Sequence, residues 1–186
     1  MTDPHTYPRG LAEKFAYENT FFDSDPRLDI MAPLPLDRVG IYDFVISSEV
    51  LEHVAPPPRQ AFENISRLLK PGGLLVLTTP FVLQQATLEH FPDLFDFTIT
   101  ETAGHFELTN VTRAGVVQKF DDLIFHGGPG MTLEMRVFAE PALLAHLAAS
   151  GFTSIEVHRA PCFRYGIWWP QAFSRPISAL KQIDAA

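Results

Sequence analysis

The stretch from Tyr42 to Pro80, YDFVISSEVLEHVAPPPRQAFENISRLLKPGGLLVLTTP, constrains the chain most. Tyr42–Ser48 is a short apolar run, as a buried strand requires. Residues 59–70 carry Phe62, Ile65, Leu68 and Leu69 at helical spacing. Pro56–Pro58 precede this helix, and Lys70-Pro71-Gly72-Gly73 is expected to end it, with a cation in the last turn and breakers beyond. Leu74–Leu77 is again continuously apolar, which suits a parallel strand covered on both faces. Strand, helix and strand in this order form a right-handed βαβ unit. Such a unit puts Ser47–His53 and Thr78–Phe81 on one edge of the sheet, where open α/β sheets bind ligands.

The rest of the chain reads around this unit. Residues 10–17 suit a short helix, Asn19–Phe22 a strand, and the Asp- and Pro-rich residues 23–38 a loop. Phe97, Ile99, Phe106 and Leu108 alternate about Ala103-Gly104, the pattern of a β-hairpin, with Val116–Phe120 as a third strand. His126–Gly130 is a glycine-rich turn or the hinge of a lid. Residues 140–150 suit a helix closed by Gly151, and Thr153–His158 a strand. The tail, 161–186, shows little periodicity.

A length of 186 residues allows one domain with a substantial core. The formal net charge of −8 argues against general nucleic-acid binding, which relies on Lys and Arg. Cys162 is the single cysteine, so no internal disulfide can form; a reducing, cytoplasmic location and a buried Cys162 are expected. The N-terminus lacks the apolar core of a signal peptide, and no apolar run is long enough to span a bilayer. Asn64-Ile65-Ser66 and Asn110-Val111-Thr112 are read as chance matches to the glycosylation pattern. Trp168-Trp169-Pro170 offers apolar surface for the core, an acceptor pocket or a homodimer contact.

YDFVISSEVLEHV, the helix ending RLLKPGG, and LLVLTTPF together resemble the second half of a class I S-adenosylmethionine-dependent methyltransferase of the type 11/23 kind. EMRVFAEPALLAHLAASGFTSIEV resembles the same family further on, so the likeness covers roughly residues 29–158. The resemblance implies a single α/β domain with a Rossmann-like sheet, residues 96–130 being a hairpin insertion or cap after the fifth strand. Asp29 stands where the family has an acid for the adenine amino group, and Asp23 or Asp25 where it has the ribose acid. Ser47, Ser48 and Glu49 would line the methionine end of the cofactor, with Thr79 and Pro80 opposite. One departure is large: residues 1–28 hold only Gly10, with no GxG, so the sheet is expected to be N-terminally incomplete.

Glu49-Val50-Leu51-Glu52-His53 adds a second layer. On a helical turn, Glu49, Glu52 and His53 share one face and can ligate Mg²⁺ or Mn²⁺. This ExxEH pattern resembles that of metal-dependent small-RNA 2′-O-methyltransferases and of ubiquinone-pathway O-methyltransferases. The place of the fourth ligand in the former is held by Glu134, with His126 in the loop before it. Without metal, His53, His90 or His126 can act as general base. The resemblance therefore implies methyl transfer, with oxygen favoured because SSEV replaces the Asn/Asp-Pro-Pro-Tyr/Phe associated with methylating base amino groups. The expected acceptor is a small molecule or a glycan. The competing expectation is a catalytically inactive methyltransferase-like module that binds or oligomerises.

Overall fold

In the computed structural model the described residues are 7–169 and 173–183. The first six residues, Pro170 of the tryptophan motif and the last three tail residues lie outside them. The described residues open with helix α1 (Tyr7–Ala12), earlier than the 10–17 expected. The Asn19–Phe22 strand reduces to one bridge between Phe21 and Arg27. Asp23–Pro26 turns the chain back on itself there, so Phe21 pairs within its own loop.

The βαβ unit is as expected: β1 (Tyr42–Ser48), α2 (Arg59–Leu68) and β2 (Leu69–Thr78), the strands pairing in parallel. One detail differs. Lys70–Gly73 lies inside β2, and the β1–β2 register breaks between Tyr42 and Phe44 to accommodate it. Gly72 has φ +75°, and a Cβ on Gly73 would sit 2.9 Å from the Lys70 carbonyl oxygen. Only glycine fits there, so KPGG works as a bulge rather than as a helix stop.

Beyond β2, short strands β3 (Phe81–Val82) and β4 (Leu88–Glu89) flank a later strand, Arg136–Ala139. Strands β5 (Asp96–Thr102), β6 (His105–Val111) and β7 (Val117–Phe120) form an antiparallel meander, which matches the expected pairing. Ala103 and Gly104 both have positive φ, the backbone of a two-residue hairpin turn. Then come the ribbon β8 (Phe125–His126) and β9 (Thr132–Leu133), strand β10 (Arg136–Ala139), helix α3 (Glu140–Ala149) and strand β11 (Phe152–Val157).

The tail corrects the sequence reading. Ile177–Lys181 forms strand β12, which runs antiparallel between β2 and β11 in a sheet ordered β1-β2-β12-β11. A segment without visible periodicity thus stands inside the sheet, contributing buried Ile177 and Ala179. Cys162 and Trp168 are exposed rather than buried.

Among the described residues two apolar cores result. The larger joins the sheet to α2 and α3 through Phe62, Ile65, Leu75, Leu77, Phe138 and Leu143. Each such side chain contributes about 1.5–3 kcal/mol by leaving water. The smaller holds Phe91, Leu94, Leu108, Leu133 and Met135 beneath the meander. Asn64 and Asn110 are fully buried and structural. Asn64 Nδ2 donates to the carbonyls of Ile30 and Ala32, tying the N-terminal segment to α2. Among the described residues no helix is long and apolar enough to cross a membrane.

Candidate functional site

The edge after β1 and β2 carries the ionisable residues. Glu49 has φ +53°, a left-handed conformation that stops any helix from starting at it. The expected helical face of Glu49, Glu52 and His53 is therefore replaced by one 3-10 turn, Leu51–His53, with Pro56–Pro58 preventing its extension. Glu49 is left outside this turn, exposed to solvent. Glu52 points inward and is fully buried.

His53, His126 and Glu52 converge. Their ligand atoms lie within 4.8 Å of one another, a grouping in which His126 takes the place expected of Glu49. The rings of His53 and His126 meet edge to face at 4.7 Å. Glu52 Oε2 accepts the Thr79 hydroxyl at 2.9 Å, while buried Oε1 has no hydrogen-bond partner. His53 Nε2 lies 3.4 Å and His126 Nδ1 4.0 Å from that oxygen.

A second tier holds the first. His53 Nδ1 donates to the Leu133 carbonyl at 2.8 Å, which leaves Nε2 free in the neutral ring. Glu134 bridges two histidines: Oε1 to His90 Nε2 at 2.8 Å and Oε2 to His126 Nε2 at 2.9 Å. So His53, His90, His126, Glu52 and Glu134, drawn from four separate segments, form one acid–imidazole chain. Backbone bonds fix the segments, from Met135 N–H to the Glu52 carbonyl and from His90 N–H to the Met135 carbonyl.

Burial sets the electrostatics. Leaving water pushes the Glu52 carboxyl up to about 7, against the Thr79 hydrogen bond, with nearby Glu49 and Glu134 pushing the same way. Burial also lowers the His53 imidazole below its ordinary value. A carboxyl near neutrality beside a neutral imidazole can accept, hold or return a proton.

The cofactor candidates are more scattered. Ser48 Oγ shares a 2.8 Å hydrogen bond with Thr78 Oγ1 at the exposed strand ends, and Ser47 is buried. Thr79 is engaged with Glu52. Asp29 Oδ1 accepts the Met31 N–H at 2.8 Å, closing its own turn. Asp23 is exposed, beside Ser24 Oγ at 3.3 Å. Sequence reasoning missed Arg136, which is fully buried and bonded to the carbonyls of Leu51 and Val54. Its one sequence signal is a cation among the apolar residues Met135, Val137, Phe138 and Ala139.

Comparison with known proteins places the chain in a family. Residues 2–113, more than half of the chain, match the model of a family described as a methyltransferase domain, and the chain belongs to that family. A ubiquinone biosynthesis O-methyltransferase of Xanthomonas oryzae pv. oryzae is 42% identical over 55 residues, 30% of this chain and 23% of that protein. The match thus spans under a quarter of that relative's length. Among solved structures, an S-adenosylmethionine-dependent methyltransferase from Mesorhizobium loti is 18% identical with a TM-score of 0.47, over 83% of this chain and 68% of the other. The sugar N-methyltransferase KedS8 from Streptoalloteichus is 17% identical with a TM-score of 0.46, over 84% of this chain and 61% of the other.

Proposed function

We propose that this chain transfers a methyl group from S-adenosylmethionine to an oxygen of a small-molecule or glycan-type acceptor. The observation that carries the reading is the acid–imidazole chain at the end of the parallel strands, with an orphaned Glu52 oxygen at its centre. Family membership supplies the reaction type, and the curated relative is named for O-methylation.

S-adenosylmethionine, when bound, supplies an electrophilic methyl on a sulfonium. Exposed Ser48 and Glu49 fit its polar methionine end, because neither is withdrawn into the core. Ser47, Thr79, Asp29 and Asp23 complete the candidate set, with one polar atom of Thr79 and one of Asp29 already engaged within the protein. For the acceptor, His126 is the best-placed base: half-buried, reachable, and backed by Glu134. The proton it takes from the hydroxyl is stabilised on the ring by Glu134, which His90 holds from the other side. With that proton removed, the acceptor oxygen would be the nucleophile for the methyl that the bound cofactor would supply, S-adenosylhomocysteine being the leaving group. Positioning for in-line approach is the protein's main further contribution.

A divalent cation also fits. Glu52 Oε1 is buried without a partner, and His53 Nδ1 donates to a backbone carbonyl, as ligating histidines commonly do. Glu52, His53 and His126 would hold the ion, with Glu134 behind His126. Two imidazoles with one carboxylate suit Mn²⁺, Co²⁺ or Zn²⁺ better than Mg²⁺. Such an ion supplies Lewis acidity toward a bound hydroxyl.

Isothermal titration with S-adenosylmethionine tests the reading directly. Binding in the micromolar range is expected, with methyl transfer to a panel of phenols, alcohols and glycans. An absence of binding at high micromolar cofactor would sink it and favour an inactive binding module. Adding EDTA to the active enzyme separates the metal from the metal-free form, since an unchanged rate removes the ion.

A further inference from the structure

We infer that Arg136 is the positioning residue of this site, a buried guanidinium that fixes where the Glu52–His53 turn stands relative to His90, His126 and Glu134. The inference rests on the acid–imidazole site just described, and on geometry alone. Arg136 is fully buried on β10, two residues after Glu134. Its Nη1 donates to the carbonyls of Leu51 at 3.3 Å and Val54 at 2.6 Å, one at each end of the turn bearing Glu52 and His53. Its Nε lies 2.9 Å and 3.1 Å from the two oxygens of Glu89, the residue before His90. One side chain therefore ties together three segments that carry four of the five site residues.

Stability does not explain this choice. Burying a charge costs several kcal/mol, and apolar side chains of similar volume often stabilise as well or better. Here the cost is compounded, because Arg136 Nη2 is buried with no partner. What an apolar residue cannot do is hold two carbonyls and a carboxylate in one rigid fork. Lys could supply the charge but not that geometry.

The test compares Arg136→Met, Arg136→Lys and Glu89→Gln with the parent protein. Two measurements are made: kcat and KM for methyl transfer, and ring-proton NOEs between His53 and His126 in protein carrying labelled histidine. Arg136→Met is expected to lower kcat on the order of 100-fold, as a displacement of about 1 Å does, with the KM for S-adenosylmethionine little changed and the His53–His126 NOE lost. Arg136→Lys should rescue neither. Glu89→Gln, at an exposed position, removes the charge and one of the two acceptor oxygens from one of the three anchors and carries the test if the Arg136 variants do not fold; it should weaken the NOE and lower kcat by a smaller factor. If the NOE and kcat persist in the folded variants while only the melting temperature falls, Arg136 is a stabilising residue and the inference is overturned. If the parent protein transfers no methyl, the functional reading fails, yet the NOE comparison still decides the role of Arg136.

Discussion

The two cores of this molecule are built by different means. The larger one is regular: a four-stranded sheet with two helices against it, sealed by fifteen buried residues. The smaller has five buried residues under a meander and a ribbon of two-residue strands. The site lies at their seam. Glu52 and His53 belong to the turn beside the larger core, whereas His90, His126 and Glu134 stand on segments adjoining the smaller one. The difference teaches how such a seam is held. Apolar burial suffices on one side. On the other, where little apolar area is available, ion pairs and backbone bonds set positions, and Arg136 spans the gap.

The comparison breaks most visibly if one side chain is removed from each core. Phe62→Ala, in the larger core against Phe138, should destabilise the whole domain by about 3–5 kcal/mol. Leu108→Ala, in the smaller, should cost about 2–3 kcal/mol, towards the low end for such changes because fewer neighbours surround the cavity. The patterns should differ as well. Hydrogen exchange should rise throughout the chain in Phe62→Ala, but mainly across residues 91–135 in Leu108→Ala. Equal, global loss of protection in both variants would show that the two cores unfold as one and that the distinction has no energetic content.

The regular half was legible in the sequence for the reason that makes it stable. Phe62, Ile65 and Leu68 recur at the helical period because one face of α2 must be buried, and the run Tyr42–Ser48 is apolar because β1 lies against β2. The hairpin at Ala103-Gly104 was legible from its turn chemistry. Strand β12 was not, because a five-residue strand needs only Ile177 and Ala179 facing inward, too few to show a period. At the site, Glu52 and His53 stood out through local spacing, and His90, His126 and Glu134 were each candidates. Their convergence was not readable, since it depends on strand pairings only two residues long, β4 with β10 and β8 with β9. Arg136 was invisible for the same reason: its partners lie 47 to 85 positions away.

The seam carries a pH signature of its own. Burial raises the Glu52 carboxyl from an ordinary 4.5 to about 7, so the folded protein keeps a proton there that the unfolded chain has released. Folding is therefore favoured by protonation: the contribution of Glu52 is full below about 4.5, declines as pH rises to about 7, and is flat above. Glu52→Gln keeps the Thr79 hydrogen bond and removes the titration. In protein stripped of divalent cations, the variant should gain on the parent by about 2–3 kcal/mol between about pH 5 and pH 8 in urea melts. Parallel pH profiles would show that Glu52 is not strained by its burial.

The smallest effect expected lies on the outer face of α2, and it sets the scale for the others. Arg59 Nε meets Glu63 Oε1 at 2.6 Å, one helical turn apart, with the Arg59 side chain 70% exposed. Short as the contact is, water competes for both groups and ordering two long side chains offsets the attraction, so Arg59→Ala should cost no more than about 0.5 kcal/mol. High salt should reduce that further. The contrast with the pair of Arg136 and Glu89 is one of environment. Similar atoms at a similar distance become decisive only where one partner is sealed from solvent and a second donor of it, here Nη1, is fixed on carbonyls. A loss above 1 kcal/mol for Arg59→Ala in urea melts would mean that the α2 surface, too, depends on its charges, and the division between apolar and polar construction would then run elsewhere.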